Sequence, residues 1–313
     1  YGLFFAKRAD VIYAYHPPLT VGISAVIIKL VRRIPMVLDI QDMWPDTLKA
    51  TGMLHNEHLL SFISGICNLI YKHVTQIVVL SPGFKNLLIE RGISSKKIEV
   101  IYNWADEKVL RNIYDESSVK FKNINGFKIL FAGNIGRAQG LDVILDTALL
   151  LKETFPRPQF IVLGQGLELD QLKKRANSLC LDNVHFLPAV DMKEVGAFLN
   201  SADALLIHLN ADPLFKITIP GKTQAYMATG KPIIMGVSGD ASNLVSRANC
   251  GACFEPENSI ALSEVIKNLI LLPLTDLKKL GKNATKFYDE NLSVTVGVDS
   301  FVKIFNKLIE NNK

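Results

Sequence analysis

Phe127-Lys128-Ile129-Leu130-Phe131-Ala132-Gly133-Asn134-Ile135-Gly136-Arg137-Ala138-Gln139-Gly140-Leu141 reads as three pieces in a row. Phe127–Ala132 is a short apolar run, as expected of a strand covered on both faces. The next eight residues hold three glycines, which let a backbone turn tightly and come close to a ligand. Leu141 then opens a helical pattern that runs to Thr154. A buried strand, a glycine turn and a helix form the start of a βα unit, and the reading predicts a parallel sheet.

The same alternation continues outward. Downstream, strands are expected at Gln159–Leu163, Val184–Phe186, Ala204–His208, Pro232–Met235 and Gly251–Phe254. Between them lie helical patterns at Leu167–Ser178, Met192–Asn200, Gly221–Ala228 and Ala241–Arg247, and three more follow at Ser259–Leu271, Thr275–Glu290 and Val294–Glu310. Asp191 and Glu194 have capping-box spacing. Upstream, strands at Asp10–Tyr15, Met36–Ile40, Gln76–Leu80 and Ile98–Ile101 alternate with helices at Val21–Arg33, Glu57–His73 and Pro82–Arg91. The polar stretch Asp106–Gly126 interrupts the series and reads as a linker. With 313 residues, two doubly wound α/β halves are the simplest architecture.

Composition narrows the function classes. Hydrophobic residues make up 49% and charged ones 21%, which excludes general disorder. The net charge of +5 is too small to point to nucleic acid, yet compatible with an anionic substrate or membrane surface. Four cysteines argue against a disulfide scaffold and fit a reducing cytoplasm. No run approaches the ~20 apolar residues of a membrane span. Val21–Arg33 and Leu59–Ile70 are apolar enough for membrane contact, but burial against the sheet is the plainer reading.

In parallel sheets ligands gather beyond the carboxyl ends of the strands. Gly133–Gly140 is one such turn, with Asn134 beside it and Arg137 offering a fork of donors for phosphate. Gly164-Gln165-Gly166 is a second, on the neighbouring strand. The third is Thr218-Ile219-Pro220-Gly221-Lys222-Thr223-Gln224, which opens a helix that stops at Gly230. The amides of Gly221, Lys222 and Thr223, with the Lys222 ammonium, would form an anion site on the helix dipole. None of these is a GxGxxG or Walker A loop. In the first half, Asp39-Ile40-Gln41-Asp42-Met43-Trp44-Pro45-Asp46 sits at a strand's carboxyl end. Asp42 is the candidate catalytic or substrate-binding carboxylate, while Asp39 reads as structural, and in the His16-Pro17-Pro18 turn His16 is a secondary candidate. Cys250 and Cys253 lack partners for a zinc site. No Asp-x-Asp triplet offers a metal–diphosphate pair.

Together Gly133–Leu141, Ile219–Tyr226 with Gly230-Lys231-Pro232, Asp39–Asp46, Val79–Phe84 and Ile101–Trp104 resemble glycosyltransferase family 4, most closely bacterial O-antigen and capsule enzymes, including those that transfer L-fucosamine. The resemblance covers essentially the whole chain. It implies a GT-B fold, two Rossmann-like domains facing a cleft: residues 1–105 as an acceptor-side domain, 106–126 as linker, 127–290 as the nucleotide-sugar domain and 291–313 as a helix returning to the first. It implies retaining, metal-independent transfer from a UDP-sugar to a lipid-linked glycan, without a cofactor, at the cytoplasmic membrane face. Gly133, Asn134, Arg137, Gly221, Lys222 and Thr223 would line the diphosphate, Gly164 and 188–190 the nucleoside, and Gln224 the ribose. The family's first strand and glycine-rich loop have no counterpart before Tyr1, so the first domain is expected to be incomplete. The rival readings are a non-catalytic nucleotide-sugar or glycan-binding module and a GT-B-type nucleotide-sugar epimerase.

Overall fold

The computed structural model describes residues 7–16, 19–111, 121, 124–154 and 158–312. Two compact units emerge, Tyr1–Asn103 with Thr295–Lys313, and Trp104–Val294.

The first unit is built on β1 (Ile12–His16), β2 (Met36–Ile40), β3 (Gln76–Val79) and β4 (Ile98–Val100), parallel and ordered β1-β2-β3-β4. Pro17 and Pro18 of the expected turn after β1 lie outside the described residues. Helices α1 (Leu19–Arg32), α2 (Asp46–Ala50), α3 (Glu57–His73) and α4 (Pro82–Glu90) intervene. Side chains alternate across a strand, so the register that pairs Tyr13 with Val37 and Asp39 with Val78 puts these four on one face. Helix α14 (Val294–Glu310) covers that face: Phe301, Ile304, Phe305 and Leu308 pack on Val37, Val78 and Ile101, and Tyr13 meets Phe301 edge-on. Strand order that follows chain order requires the right-handed crossovers to place α1, α3 and α4 on the other face.

Helices α1 and α3, the apolar pair, depart from the expectation of burial. Their inner stripe is buried, through Leu19, Gly22 and Ala25 on α1 and Leu60, Cys67 and Ile70 on α3. Their outer stripe is not: Ile27, Leu30, Val31, Phe62 and Leu69 are all exposed. No helix among the described residues is long and apolar enough to cross a membrane.

The second unit holds β5 (Phe127–Asn134), β6 (Pro158–Gln165), β7 (Val184–Leu187), β8 (Ala204–His208), β9 (Ile233–Gly236) and β10 (Gly251–Cys253). All are parallel, in the order β10-β9-β8-β5-β6-β7. The chain winds one way from β5 to β7 and the other way from β8 to β10, so the order reverses between β5 and β8. That is where a doubly wound sheet leaves room for a ligand. Helices α5 (Glu107–Leu110), α6 (Asp142–Thr154), α7 (Leu169–Ser178), α8 (Met192–Ser201), α9 (Pro213–Lys216), α10 (Gly221–Thr229), α11 (Asp240–Ala248), α12 (Ser259–Leu271) and α13 (Leu274–Asn291) complete it. The core is continuous, from Ile129 and Phe131 through Phe160 and Val162 to Leu206 and Ile234.

Of the polar stretch 106–126, residues 112–120, 122 and 123 lie outside the described set. The described part belongs to the second unit: Asp106 caps α5, and Leu110 and Phe121 are buried. Tyr288 pins this end, its hydroxyl accepting from the Ala105 amide at 3.1 Å and donating to Glu107 at 3.0 Å. At α8 the expected capping box is missing. Asp191 is the N-cap, but its side chain makes no cap hydrogen bond, and the Glu194 amide goes to the Asp191 carbonyl at 2.8 Å.

Candidate active site

Two paired glycines end the central strands of the second unit. Gly133 on β5 stands opposite Gly164 on β6, and both have positive φ, +136° and +153°. A Cβ on Gly164 would overlap the Gly133 carbonyl oxygen, so only glycine lets the two backbones turn away side by side. These glycines, with Asn134, Ala189 and Val190, line a largely apolar pocket of about 270 Å³. Of the residues expected near the nucleoside, Gly164, Ala189 and Val190 share this pocket, and Pro188 does not line it.

Lys222 comes to the same place from α10. A Cβ on Gly133 would lie 2.6 Å from its Cε, so the missing side chain of one motif makes room for the lysine of the other. Its Nζ stands 3.6 Å above the ring of Phe131, which is fully buried on β5. A cation over a ring face gains about 1–2 kcal/mol when desolvated. Burial nevertheless pushes the ammonium down to about 7, with no charged partner offsetting it. A lysine in this state is primed to take up an anion.

The start of α10 behaves partly as expected. The amides of Gly221 and Lys222 have no acceptor among the described residues and point out of the helix end. The Thr223 amide does not join them. It donates to the Pro220 carbonyl at 2.8 Å, because the chain tightens into the first turn there, and its side chain is fully buried with Oγ1 unpartnered. Gln224, expected at the ribose, is buried at the start of the same helix. It is 1% exposed, and with its side-chain amide turned over, the nitrogen would donate to the carbonyls of Pro220 and Gly221 at 3.1 and 3.3 Å.

Arg137 is separated from Lys222. It lines a neighbouring pocket of about 470 Å³ with Asp142, Asp146, Glu168, Asn210 and Glu257. Its side chain is 89% exposed and touches Glu168 at 3.4 Å. Such an exposed pair holds an arginine with less than ~1 kcal/mol, so the guanidinium is free to swing. The turn that carries it is fixed by Gln139, whose side-chain Oε1 accepts from the Gly136 amide at 3.0 Å and whose backbone N–H donates to the Gly136 carbonyl at 3.1 Å.

Three supporting residues escaped the sequence reading. His208, buried at the end of β8, has Nδ1 2.7 Å from the Gln139 carbonyl, and its Nε2 accepts from the Glu257 amide at 2.9 Å. It thus ties the glycine turn to the segment after β10 as a neutral Nδ1–H tautomer, and burial lowers its pKa. Tyr226 on α10 reaches the Ala132 amide at 2.9 Å and locks β5 to that helix. Phe131 supplies the ring under Lys222. A histidine closing an apolar strand such as Ala204–His208 is the one signal that could have been used.

In the first unit, Asp39 is buried on β2 and satisfied on both oxygens, by the Tyr13 hydroxyl and the Gln41 amide, each at 2.6 Å. Gln41 in turn accepts from Asn103 at 2.6 Å. Asp42, just beyond the strand, differs: its carboxylate is partly exposed and has no hydrogen-bond partner among the described residues, and burial raises its pKa. Asp46 is paired with Arg91 at 2.5 Å. Among the described residues no cluster of His, Cys, Asp and Glu could hold a metal ion.

Residues 114–287, more than half of the chain, match the family Glycosyl transferases group 1. The chain belongs to that family. Residues 3–104 of this glycosyltransferase match the Glycosyl transferase 4-like domain. A Pseudomonas aeruginosa protein described as "Probable glycosyltransferase WbjE" is 24% identical over 315 residues, covering 98% of this chain and 77% of the relative. Among solved structures, Anabaena HepE in complex with UDP-glucose superposes with a TM-score of 0.75 at 18% identity, over 94% of this chain and 78% of that one. WaaG, a glycosyltransferase involved in lipopolysaccharide biosynthesis, does so at 0.65 and 15% identity, over 91% and 83%. The two parallel α/β sheets of this glycosyltransferase are those of the GT-B fold.

Proposed function

We propose that this glycosyltransferase moves a hexosyl or amino-deoxyhexosyl group from a UDP-sugar to a lipid-linked glycan, with retention and without a metal ion, at the cytoplasmic face of a membrane. The observation that carries the donor side is the Lys222 ammonium standing on Gly133, beside the free amides of Gly221 and Lys222. The departing diphosphate gains negative charge as the glycosidic bond breaks. A cation, two amides and a helix N-terminus, fixed before the reaction, stabilise that charge without reorganisation. Arg137, swinging from Glu168, adds a second cation. These groups are the protein's own counterpart to a metal. The apolar pocket at Gly164, Ala189 and Val190 suits a nucleobase, and the similar HepE was crystallised with UDP-glucose.

Asp42 is assigned to the acceptor side. A carboxylate with a raised pKa and no partner is suited to hold the acceptor hydroxyl, while the leaving phosphate accepts its proton. Titration calorimetry with UDP-glucose, GDP-glucose and dTDP-glucose tests the donor reading. UDP-glucose binding that is lost in Lys222→Ala supports it; binding unchanged in that variant refutes the phosphate site. Transfer is then read as radiolabelled sugar entering a lipid extract.

A further inference from the structure

A buried carboxylate without a cation lies at the carboxyl end of β2 in the first unit. Asp39 is 4% exposed, and no lysine or arginine pairs with it among the described residues. Its oxygens take the Tyr13 hydroxyl and one N–H of Gln41, each at 2.6 Å. Phe301 and Phe305 of α14 hold the Tyr13 ring edge-on. The side-chain amide of Asn103, which follows β4, donates to Gln41 Oε1 at 2.6 Å. Every donor in this chain points toward the same anion.

The consequence falls on Gln41. Among neutral neighbours a side-chain amide sits either way round, but beside a carboxylate only its N–H end fits. The carbonyl oxygen is thereby turned away from Asp39. A charge-assisted hydrogen bond at the nitrogen also polarises the amide and strengthens that oxygen as an acceptor. Gln41 is partly exposed, and its Oε1 keeps a second lone pair with no donor among the described residues. Burying a charge is costly, and packing alone gives no reason to spend it on an exposed amide.

We propose that Gln41 binds the sugar acceptor, its Oε1 accepting from a hydroxyl beside the one that attacks, and that Asp39 is the positioning residue that sets the amide. The proposal rests on the reading that the first unit takes the acceptor. Asp42, the next residue, holds the attacking hydroxyl. Two adjacent contacts of this kind would select which hydroxyl of the acceptor reacts.

Transfer of radiolabelled sugar from UDP-glucose into a lipid extract, at saturating donor and rising amounts of extract, tests it. Gln41→Ala should raise the half-saturating amount of extract about tenfold, as for one lost hydrogen bond, with a smaller fall in the limiting rate. Asp39→Asn, which accepts either orientation of the Gln41 amide, should act the same way. Gln41→Glu reads the orientation itself. Protonated, its carboxyl donates to Asp39 and accepts from Asn103 as the amide does. Ionised, it repels Asp39, so its pKa rises above the ordinary ~4.3. Its half-saturating amount, divided by that of the unmodified protein at each pH, should stay near unity at about pH 5 and climb toward about pH 8. The surrounding groups do not mimic this climb. Tyr13 and Tyr15 of β1 are pushed up by burial and by Asp39; Asp42 is common to both proteins and cancels in the ratio; Val78 and Val79 of β3 and the phenylalanines of α14 carry no charge. A cooperative thermal transition and unaltered UDP-glucose affinity show that each variant is folded. No transfer by the unmodified protein would overturn the transfer reading and this inference with it. Transfer with unchanged half-saturation in Gln41→Ala, or a ratio for Gln41→Glu that ignores pH, would overturn this inference alone.

Discussion

Replacing nothing and changing only pH tests the donor site most directly. Unliganded Lys222 is pushed down to about 7, against an ordinary lysine near 10.4. A diphosphate beside it favours the charged form and returns the pKa toward the ordinary value. Below pH 7 the ammonium is already formed, and binding needs no proton. Above pH 7 each binding event must take one up, so affinity falls as pH rises. From pH 6.5 to 8.5 this amounts to roughly 25-fold, or ~1.9 kcal/mol. UDP-glucose is the right ligand, because each phosphorus of its diphosphate, esterified on one side and joined by the anhydride on the other, keeps one strongly acidic oxygen whose charge is constant over this range. Calorimetry in buffers of different ionisation enthalpy should count nearly one proton taken up at pH 8. Lys222→Arg, charged throughout, should bind with no such slope. A flat profile for the unmodified protein, or the same slope in the arginine variant, would refute the reasoning.

The other expectations concern single side chains. Asp42→Asn should leave UDP-glucose affinity unchanged while sugar transfer falls about 100-fold or more, in line with loss of a positioned carboxylate; equal transfer rates would remove Asp42 from the reaction. Gly164→Ala forces a Cβ onto the Gly133 carbonyl oxygen at φ +153°, and denaturant unfolding should register a loss of about 3 kcal/mol or more. Gln224→Glu would bury a carboxylate with no cation beside it, costing ~2–4 kcal/mol at neutral pH. Its folded pKa would lie above the unfolded value near 4.3, so stability is lost as pH rises through that window, and the melting temperature should recover toward pH 5. Tyr288→Phe removes the hydrogen bonds to Ala105 and Glu107 and should cost about 1–2 kcal/mol in urea unfolding.

Local pattern alone was enough for the strands, the helices and the two-sheet architecture. Apolar runs such as Met36–Ile40 and Ala204–His208 are strands because both sheet faces are covered, and a period-2 signal is then replaced by continuous apolarity. Glycine turns after β5 and β6 were legible for the same local reason: positive φ is written into the residue type. Short turns of helix such as Asp46–Ala50 and Pro213–Lys216 were not, since four or five residues carry too little periodicity.

What only tertiary structure decided is which groups remain available. Lys222 meets Gly133 from 89 positions away in the chain, because the sheet order reverses between β5 and β8. Thr223 and Gln224 belong to the same motif in the sequence, yet the Thr223 amide closes a turn and both side chains are buried, unlike that of Lys222 beside them. Arg137 shares a loop with Gly133 and lines a different pocket. The outer stripe of α1 and α3 looks, residue by residue, like core. Sequence records how apolar a helix is, but not which side of it the rest of the chain covers, because burial depends on neighbours that only folding brings together.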